Sequence, residues 1–289
     1  MTINQRQPGS AQKASFADIY NNQDPRAYIT TLAPLEYTIP QQVQPLFRHL
    51  YQLSSENANG SAILDVCCSY GINGALLRHD VDMATWLAHY KNSDLDSKQQ
   101  IQADEEFFAG RARSDKPMVL GLDKAENAIS YAIDTGLVDK ALAEDLEVND
   151  PSPALVRALQ DVSLVICTGG VSYVGAPTFS RILSAIRRSS KLCVACTVIR
   201  TVSYDDIAAV LEKHGLITER IPGVVLRQRR FASTQEQKSF VTQVIARGLD
   251  PAGCEDEGYL CAEIYISRPN GELSRTPIAE LADTMKGFM

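Results

Sequence analysis

The sequence predicts an α/β fold in which a mostly parallel sheet of seven strands carries helices on both faces. Three apolar runs support this prediction, and they end in an acid at Asp65, in an acid at Asp123 and in the pair Gly169 and Gly170. Apolar residues at helical spacing follow the runs, and alternation of strands and helices is typical of a parallel sheet. Two further strand-like stretches lie near the C-terminus and complete the seven.

The elements of the core follow one another from residue 61. The predicted strands cover residues 62–67, 118–123, 140–146, 164–168 and 192–202, and the two further strand-like stretches cover 217–231 and 260–267. The predicted helices cover residues 124–135, 153–159, 179–188, 205–213 and 234–247. Pro153 suits the first turn of a helix, and Gly215 suits the residue after a helix ends.

Several segments lie outside this alternation. Residues 1–14 are polar and are predicted to be disordered. Residues 15–60 form an N-terminal segment rich in Tyr and Pro, with a helix after Pro40, and we expect this segment to be a lid. Residues 79–116 form an insertion with two predicted helices, at 82–91 and 95–111, where a crossover needs only one. Because it emerges near the ligand edge of the sheet, we favour a lid over a decoration. The core then spans 61–269, and 270–289 form a tail.

Composition restricts the possible partners. The chain has 289 residues with 45% hydrophobic content, which suffices for a large core, and its net charge is −7. That charge argues against a nucleic-acid partner, because phosphate binding needs a basic face. No apolar run reaches the length of a membrane span. We therefore expect a cytoplasmic protein, a monomer or homodimer, that binds a small molecule and no membrane.

The cysteines and one group of arginines are predicted to have structural roles. The seven cysteines are scattered and odd in number, which is typical of buried residues in a reducing compartment. Cys193 and Cys196 have C-x-x-C spacing but lie in a predicted core strand, and the four histidines lack metal-ligand spacing, so we expect no metal site. Arg227, Arg229 and Arg230 form a solvated or salt-bridged strand face, with an anionic substrate group or nucleic acid as the alternative.

Small residues follow the first strand. Ligands of open α/β sheets bind at the carboxyl ends of the strands, where the strand order reverses. Cys67, Ser69 and Gly71 are small enough to let a ligand approach the backbone N–H groups there. Ser69 and Asn73 contact the same ligand or, alternatively, satisfy backbone groups of the turn.

Acids and glycines end the other strands. Asp123 is placed to accept hydrogen bonds from two ribose hydroxyls, and its alternative role is to cap the following helix. Asp145 is placed to accept from an adenine amino group. Gly169 and Gly170 let the chain after the fourth strand pass close to a ligand. Asp65, Asp123, Asp145 and the glycine pair all lie at matching strand ends. This shared position favours binding of one ligand over a separate structural role for each of them.

These motifs resemble those of the class I S-adenosylmethionine-dependent methyltransferases, over about residues 61–269. The family's acid and glycine-rich turn corresponds to 65–71, its ribose-binding acid to Asp123, and its adenine-side acid to Asp145. Two features depart from the family: Cys67 and Ser69 replace its first two glycines, and the insertion lengthens the spacing to the second acid. The missing G-x-G-x-x-G disfavours a nicotinamide dinucleotide.

The resemblance implies a Rossmann-like fold and S-adenosylmethionine as cofactor. In the family, a pair of strands like the two at the C-terminal end of this chain forms an antiparallel hairpin that closes the sheet. It assigns cofactor binding to residues at the strand ends: Asp65, Cys67, Ser69, Gly71, Asn73, Gly121, Asp123, Asp145, Leu146, Thr168, Gly169 and Gly170.

Catalytic candidates lie near the same edge. Tyr173 follows the glycine pair and is expected to face the sulfonium, where an aromatic ring or hydroxyl could stabilise positive charge. Tyr20 and Tyr28 in the N-terminal segment and Ser203 after the fifth strand complete the set. Packing is the alternative for the three tyrosines, and capping of the following helix is the alternative for Ser203.

Three functions remain open at this stage. The first is methyl transfer to a small metabolite by in-line displacement at the sulfonium methyl. The second is cyclisation of S-adenosylmethionine to azetidine-2-carboxylate and methylthioadenosine, because the azetidine-2-carboxylate synthases of bacterial secondary metabolism look like decorated class I methyltransferases. The third is a non-catalytic protein that binds the same molecule, which the lost glycines favour and the retained acids oppose.

Overall fold

The structure is a computed structural model and describes residues 17–55, 61–91, 93–187 and 191–286. The predicted disordered stretch, 1–14, lies outside the described residues. The strands are β1 (Ala62–Val66), β2 (Met118–Asp123), β3 (Lys140–Ala143), β4 (Val162–Thr168), β5 (Cys193–Ile199), β6 (Leu216–Arg220), β7 (Leu226–Arg230) and β8 (Tyr259–Pro269).

Helices connect these strands. They are α1 (Arg26–Leu32), α2 (Ile39–Ser55), α3 (Ile72–Arg78), α4 (Met83–His89), α5 (Ser97–Ala109), α6 (Glu126–Asp134), α7 (Pro153–Ala158), α8 (Ala176–Ala185), α9 (Asp205–Lys213), α10 (Thr234–Ala246), α11 (Asn270–Arg275) and α12 (Ile278–Asp283). Among the helices of the described residues, none combines the length and apolar character that a membrane span requires.

The sheet has the order β3-β2-β1-β4-β5-β8-β6. Strands β1 to β5 pair in parallel, and β8 runs antiparallel to β5, β6 and β7. The order reverses at β1, which lies between β2 and β4, so the carboxyl ends of these three strands meet at one edge. This arrangement confirms the predicted Rossmann-like sheet with an antiparallel C-terminal closure.

One predicted stretch, 217–231, forms two strands. β6 and β7 both pair with the edge of β8 that faces away from β5, because Ala262 of β8 pairs with Ile199 on one side and Leu226 on the other. Pro222 and Gly223 interrupt the stretch: proline has no N–H to donate to a ladder, and Gly223 has a positive φ of 73°. The sheet of the described residues therefore has eight strands instead of the predicted seven, and β7 lies in line with β6 along the same edge of β8.

Apolar layers cover both faces of the sheet. Alternate residues of β1 point to opposite layers, with Leu64 and Val66 in one and Ile63 in the other. Helices α7, α8 and α9 complete the first layer, and α2 and α12 complete the second. β5 is buried at every position, so Cys193 and Cys196 lie in the core as predicted.

Some element ends differ from the predictions. Helix α8 begins at Ala176, earlier than predicted, because Pro177 suits the first helical turn. Strand β3 ends at Ala143 rather than at 146. The Asp145 carboxylate accepts a hydrogen bond from the Glu147 backbone N–H at 3.0 Å, which turns the chain away from the sheet.

The N-terminal segment packs against the insertion. Helices α4 and α5 form at the two predicted places, each capped by an aspartate, Asp82 for α4 and Asp96 for α5. Aromatic residues of α1, α4, α5 and α6 share a third buried cluster. Ser97 of α5 donates to Asp24 at 2.7 Å, ahead of α1. The two segments outside the predicted core alternation are therefore one packed unit.

Candidate functional site

The turn after β1 has an alternating left-handed backbone. Cys67, Ser69 and Gly71 have φ values of 58°, 51° and 76°. Glycine adopts this region freely, whereas for Cys and Ser it is uncommon and carries a strain. A side chain on Gly71 would also lie 3.0 Å from the Ala132 Cβ. The turn thus keeps a conformation suited to glycine at two positions where the sequence has other small residues.

Asp65 is fully buried beneath this turn. Its Oδ1 accepts a hydrogen bond from Asn73 Nδ2 at 2.8 Å, and the same Nδ2 lies 3.2 Å from Thr168 Oγ1. Asp65 Oδ2 and Ser69 Oγ are buried and have no hydrogen-bond partner within the described chain. Leaving such atoms unpaired costs roughly 1–3 kcal/mol each. A ligand with hydrogen-bond donors would remove that cost.

Burial also changes the charge state of Asp65. It raises the pKa of this carboxyl from 3.8 to about 7, because a charge is disfavoured away from water. The hydrogen bond from Asn73 opposes the rise, and the negative charge of Asp123 adds to it. A cation bound beside Asp65 would therefore favour the ionised form.

Asp123 connects β2 to the β1 turn. Its Oδ2 accepts from the Ser69 backbone N–H at 2.9 Å, and its Oδ1 accepts from the Ala125 N–H at 3.0 Å, just before α6. Ala125 is itself the residue before α6, and α6 has no side-chain cap, so the bond to Ala125 forms a turn ahead of the helix and not the cap considered from the sequence. The bond to Ser69 gives Asp123 a role in fixing the β1 turn. The structure brings Asp123 and the β1 turn into direct contact, although 54 positions separate the bonded residues.

The adenine-side candidates lie beyond β3. Asp145 Oδ2 is 3.9 Å from Lys124 Nζ, which places this carboxylate beside the residue that follows β2. Leu146 is buried in the apolar layer with α7 and α8. A side chain on Gly121 in β2 would meet the Cys68 sulfur at 2.9 Å, so close packing explains that glycine.

The glycine pair after β4 lies against the β1 turn. A Cβ on Gly170 would be 2.7 Å from the Cys167 sulfur and 2.8 Å from the Cys67 Cβ, which no real Cβ tolerates. Gly169 has φ 68°, and its N–H donates to Thr197 Oγ1 at 2.9 Å. The sequence predicted that the glycine pair lets the chain pass close to a ligand. In the structure, Gly170 of this pair lies close to Cys67. Thr197 was missed, because its position in an apolar strand gives no signal.

Tyrosines from the N-terminal segment form a wall near this edge. The ring of Tyr28 is 5.5 Å from that of Tyr20 and 6.2 Å from that of Tyr37. Tyr28 is buried, and burial raises the pKa of Tyr28 well above its usual value and that of Tyr37 to about 12. Burial raises the pKa of Tyr20 far above its usual range, and Tyr37 and Tyr173 add to that rise.

The catalytic candidates differ in exposure. Tyr173 is 56% exposed, and its backbone N–H donates to the Gly170 carbonyl at 2.7 Å, which closes a tight turn immediately after the glycine pair. Ser203 is exposed, and its hydroxyl donates to Asp205 Oδ2 at 2.6 Å and accepts from the Asp205 N–H at 3.1 Å. Those bonds match the helix-start role that was the alternative for Ser203.

The arginine cluster forms salt bridges. Ion pairs join Arg227 to Glu257, Arg229 to Glu236 at 2.6 Å, and Arg230 to Glu36 at 2.6 Å. The salt-bridged strand face was therefore the better interpretation. Within the described ranges, no group of three or more His, Cys, Asp or Glu residues could hold a metal ion.

Comparisons with known proteins match only solved structures. No family model and no curated protein matches the chain. The magnesium protoporphyrin IX methyltransferase of Synechocystis PCC 6803, solved with S-adenosylmethionine, is 11% identical, covers 80% of this chain and 81% of its own, and has a TM-score of 0.38. The N-methyltransferase NodS of Bradyrhizobium japonicum WM9, solved with S-adenosyl-l-homocysteine, is 12% identical over 88% of this chain and 95% of its own, with a TM-score of 0.42.

The plantazolicin methyltransferase BpumL, also in complex with S-adenosyl-l-homocysteine, is 12% identical over 88% of this chain and 90% of its own, with a TM-score of 0.41. The sequence identities to these three proteins are low, and the activities in their names are those of the matched proteins.

Proposed function

We propose that this protein binds S-adenosylmethionine at the joined ends of β1, β2 and β4 and transfers its methyl group to a small metabolite. One observation carries this proposal: Asp65 Oδ2 and Ser69 Oγ are buried where the strand order reverses, and neither has a hydrogen-bond partner in the part of the chain that the structure describes. Polar atoms of that kind at a topological switch point are typical of a ligand site.

The residues at this edge fit the cofactor. Asp65 and Asp123 supply two carboxyl groups to a ligand that carries an ammonium and a sulfonium, and one oxygen of Asp65 has no partner among the residues described. Gly169 and Gly170 keep the chain after β4 free of side chains where it meets the β1 turn. Small residues at 67 and 69 leave the backbone of that turn accessible to a ligand.

We assign roles by position. Asp65, Ser69 and Asn73 would hold the amino-acid end of the cofactor, together with the backbone of Cys67 and Gly71. Asp123 would accept from the ribose hydroxyls. The remaining members of the proposed cofactor set, at the ends of β2, β3 and β4, are Gly121, Asp145, Leu146, Thr168, Gly169 and Gly170.

Catalysis at this site would depend mainly on aligning a nucleophile with the methyl group of the cofactor. The cofactor supplies an activated methyl group next to its sulfonium, so the chain needs mainly to orient a nucleophile and exclude water. Helix α2 is part of the core layer, so we propose that residues 17–38 and the described residues of the insertion 79–116 form the lid that excludes water, supported by the bond of Ser97 to Asp24. Tyr20, Tyr28 and Tyr37 would line it. Their raised pKa values keep the phenols protonated at neutral pH, which leaves them as hydrogen-bonding groups rather than bases.

Cofactor affinity should depend on pH through Asp65. A bound ammonium stabilises the ionised carboxylate, and the free protein must lose a proton from Asp65 to provide it. Affinity should therefore rise as pH increases towards about 7 and level off above it, with a loss of roughly 10-fold from pH 7.5 to pH 6. Isothermal titration calorimetry with S-adenosyl-l-homocysteine across this range measures the slope.

The matched variant is Asp65→Asn, which should bind more weakly and show a flat profile over the same range. An unchanged slope in Asp65→Asn would show that another group titrates. The same raised pKa has the opposite sign for folding: without ligand, the free energy of unfolding should fall as pH rises from about 4 through 7, because the unfolded chain loses this proton first.

Tyr173 is the proposed catalytic tyrosine. Removing its hydroxyl in Tyr173→Phe should lower kcat by roughly 10-fold, because a bond made at the reacting centre is lost. Affinity for S-adenosyl-l-homocysteine should stay within about 2-fold, since the backbone contact of residue 173 with Gly170 is unaffected. Equal kcat in the variant and the wild type would return Tyr173 to a packing role.

Cyclisation of S-adenosylmethionine is the second candidate. The observation that favours it is the tyrosine-rich N-terminal segment, which packs close to the glycine pair: a Cβ on Gly169 would lie 3.7 Å from Tyr37 Oη. A site closed in this way suits a reaction in which the cofactor is the only substrate.

Mass spectrometry of the purified protein incubated with S-adenosylmethionine tests these alternatives. Methylthioadenosine formed faster than without enzyme, together with azetidine-2-carboxylate, would establish cyclisation. S-Adenosyl-l-homocysteine formed only when a metabolite is added would establish methyl transfer. Binding without any turnover would support a non-catalytic binding protein, and absence of binding would refute the proposal.

A further inference from the structure

Tyr70 is a large residue inside the β1 turn, between Ser69 and Gly71. Its side chain is fully buried and belongs to the third buried cluster. The ring lies 5.7 Å from that of Tyr131 in α6 and 5.9 Å from that of Tyr28 in α1. The turn that carries proposed cofactor contacts is therefore joined by this one side chain to the N-terminal segment and to α6.

The hydroxyl of Tyr70 bonds to the N-terminal segment on both sides of Tyr20. It accepts from the Asn22 backbone N–H at 2.8 Å. It donates to the Ile19 carbonyl at 3.1 Å, and the Asn22 carbonyl shares the same proton at 3.2 Å. Burial raises the pKa of Tyr70 to about 12, so the phenol keeps its proton at neutral pH. Both hydrogen-bonding capacities of the hydroxyl are thus used on residues 19–22.

Asn21 attaches the same four residues to α6. The Asn127 backbone N–H donates to Asn21 Oδ1 at 2.9 Å, and Asn127 Nδ2 donates to the Asn21 carbonyl at 2.8 Å. Asn21 and Asn22 are exposed, so hydrogen bonds rather than buried apolar surface hold this part of the segment. Helix α6 begins shortly after Asp123, the proposed ribose carboxylate. Both attachments therefore lead to elements that carry proposed cofactor residues.

Tyr20 is the member of the tyrosine wall that these bonds hold in place. The wall consists of Tyr20, Tyr28 and Tyr37. Tyr28 lies in helix α1, whereas Tyr20 lies in a bend ahead of it and has no helix to fix it. Burial raises the pKa of the Tyr20 hydroxyl, and Tyr173 and Asp123 add to that rise, so Tyr20 stands within electrostatic range of both.

The other end of the wall stands over the glycine pair. A Cβ on Gly169 would lie 3.7 Å from Tyr37 Oη and 3.3 Å from Gln228 Nε2. Gln228 belongs to β7, at the point where its pairing with β8 shifts register. The wall thus reaches from the end of β4 to Tyr20, and only the Tyr20 end depends on residues 19–22 for its position.

We infer that Tyr70 is a positioning residue that couples the β1 turn to Tyr20, so that a cofactor held by the turn also keeps the N-terminal segment closed over the site. This inference rests on the proposed function. A ligand that fixes Ser69 and Gly71 also fixes the Tyr70 hydroxyl between them, and with it residues 19–22. The coupling is reciprocal, so a closed segment strengthens the binding of the ligand.

The test compares Tyr70→Phe, which removes the hydroxyl and keeps the ring, with Tyr20→Ala and with the double variant. Tyr51→Phe is the control, because it also loses a hydroxyl bond, to the Ser61 carbonyl at 3.0 Å, but at the amino ends of the strands. Amide hydrogen exchange of residues 17–25 is followed by mass spectrometry with and without S-adenosyl-l-homocysteine. Affinity for this ligand and the melting temperature are measured for all variants.

Exchange at residues 19–22 in the free protein should be about 10-fold faster in Tyr70→Phe than in the wild type, because the Asn22 N–H loses its acceptor. The ligand should protect these amides in the wild type and much less in Tyr70→Phe. Affinity should fall by roughly 10-fold in Tyr70→Phe and in Tyr20→Ala. The double variant should bind within about 2-fold of the weaker single variant, since both changes break one chain of contacts.

Equal exchange in Tyr70→Phe and the wild type would overturn the inference, and so would wild-type affinity in Tyr70→Phe. Two losses that multiply in the double variant would also overturn it, because Tyr70 would then act independently of Tyr20. A much lower melting temperature in Tyr70→Phe than in Tyr51→Phe, with faster exchange in β1 and β4, would assign the hydroxyl a general structural role instead.

The wild type separates this inference from the proposed function. Binding of S-adenosyl-l-homocysteine without protection of residues 19–22 would contradict the coupling and leave the proposed function standing. A wild type that fails to bind S-adenosyl-l-homocysteine would refute the proposed function as well.

Discussion

Asp123→Ala is expected to lower the affinity for S-adenosyl-l-homocysteine by at least about 100-fold. The variant loses the proposed bonds to the ribose hydroxyls and also the acceptor for the Ser69 N–H, which fixes the β1 turn. Both losses act on the same ligand, because the turn and the ribose contact meet at one carboxylate. Isothermal titration calorimetry measures the change, and thermal unfolding shows whether the variant is folded.

Two further variants make this result interpretable. Asp123→Asn keeps one oxygen that can accept a backbone N–H, so it should fold and still bind much more weakly than the wild type. Asp134→Ala removes an exposed acid at the end of α6 and should bind normally. Wild-type affinity in folded Asp123→Ala would exclude Asp123 from the cofactor site.

Gly74→Ala is expected to be the most destabilising small substitution in the core. A Cβ on Gly74 of α3 would lie 2.3 Å from the Leu137 carbonyl oxygen and 3.2 Å from the Val138 Cγ1. Backbone cannot move aside as a flexible side chain can, so α3 must shift away from the segment before β3. We expect a loss of about 3 kcal/mol in the free energy of unfolding, after any gain in helix propensity.

Urea unfolding measures this loss. Gly271→Ala in α11 is the matched control, because a Cβ there meets nothing within 4 Å. It should be neutral or more stable by up to about 1 kcal/mol. If Gly74→Ala were as stable as the wild type, α3 could not be held against Leu137 as closely as the structure shows.

Local patterns predicted most of the fold. The apolar runs ending at Asp65, Asp123 and Thr168 became β1, β2 and β4, because burial on both faces of a parallel sheet requires such runs. The two helices of the insertion form near their predicted positions, and the structure shows that Asp82 and Asp96 cap them. The division of 217–231 into β6 and β7 was missed, although Pro222 and Gly223 are visible in the sequence as a turn signal.

The candidate site was predicted in part. Alternation of strands and helices forces the carboxyl ends of β1, β2 and β4 to one edge, so the acids and glycines there could be brought together before any contact was known. Gln228 and Thr197 could not be found in this way. Each lies within a strand, and nothing local marks it as facing the glycine pair.

The sequence by itself therefore determined the order of elements, the parallel sheet and the edge at which polar residues collect. Those properties follow from the spacing of apolar residues and from the direction of the chain, which can be read from short stretches of sequence. Only the tertiary structure decided which polar atoms lack a partner among the described residues, because the neighbours of Asp123 and Gln228, which are Ser69 and Gly169, come from distant parts of the chain. A shift of one residue in a strand register turns a side chain to the other face, so a single bulge in β7 placed Gln228 over Gly169.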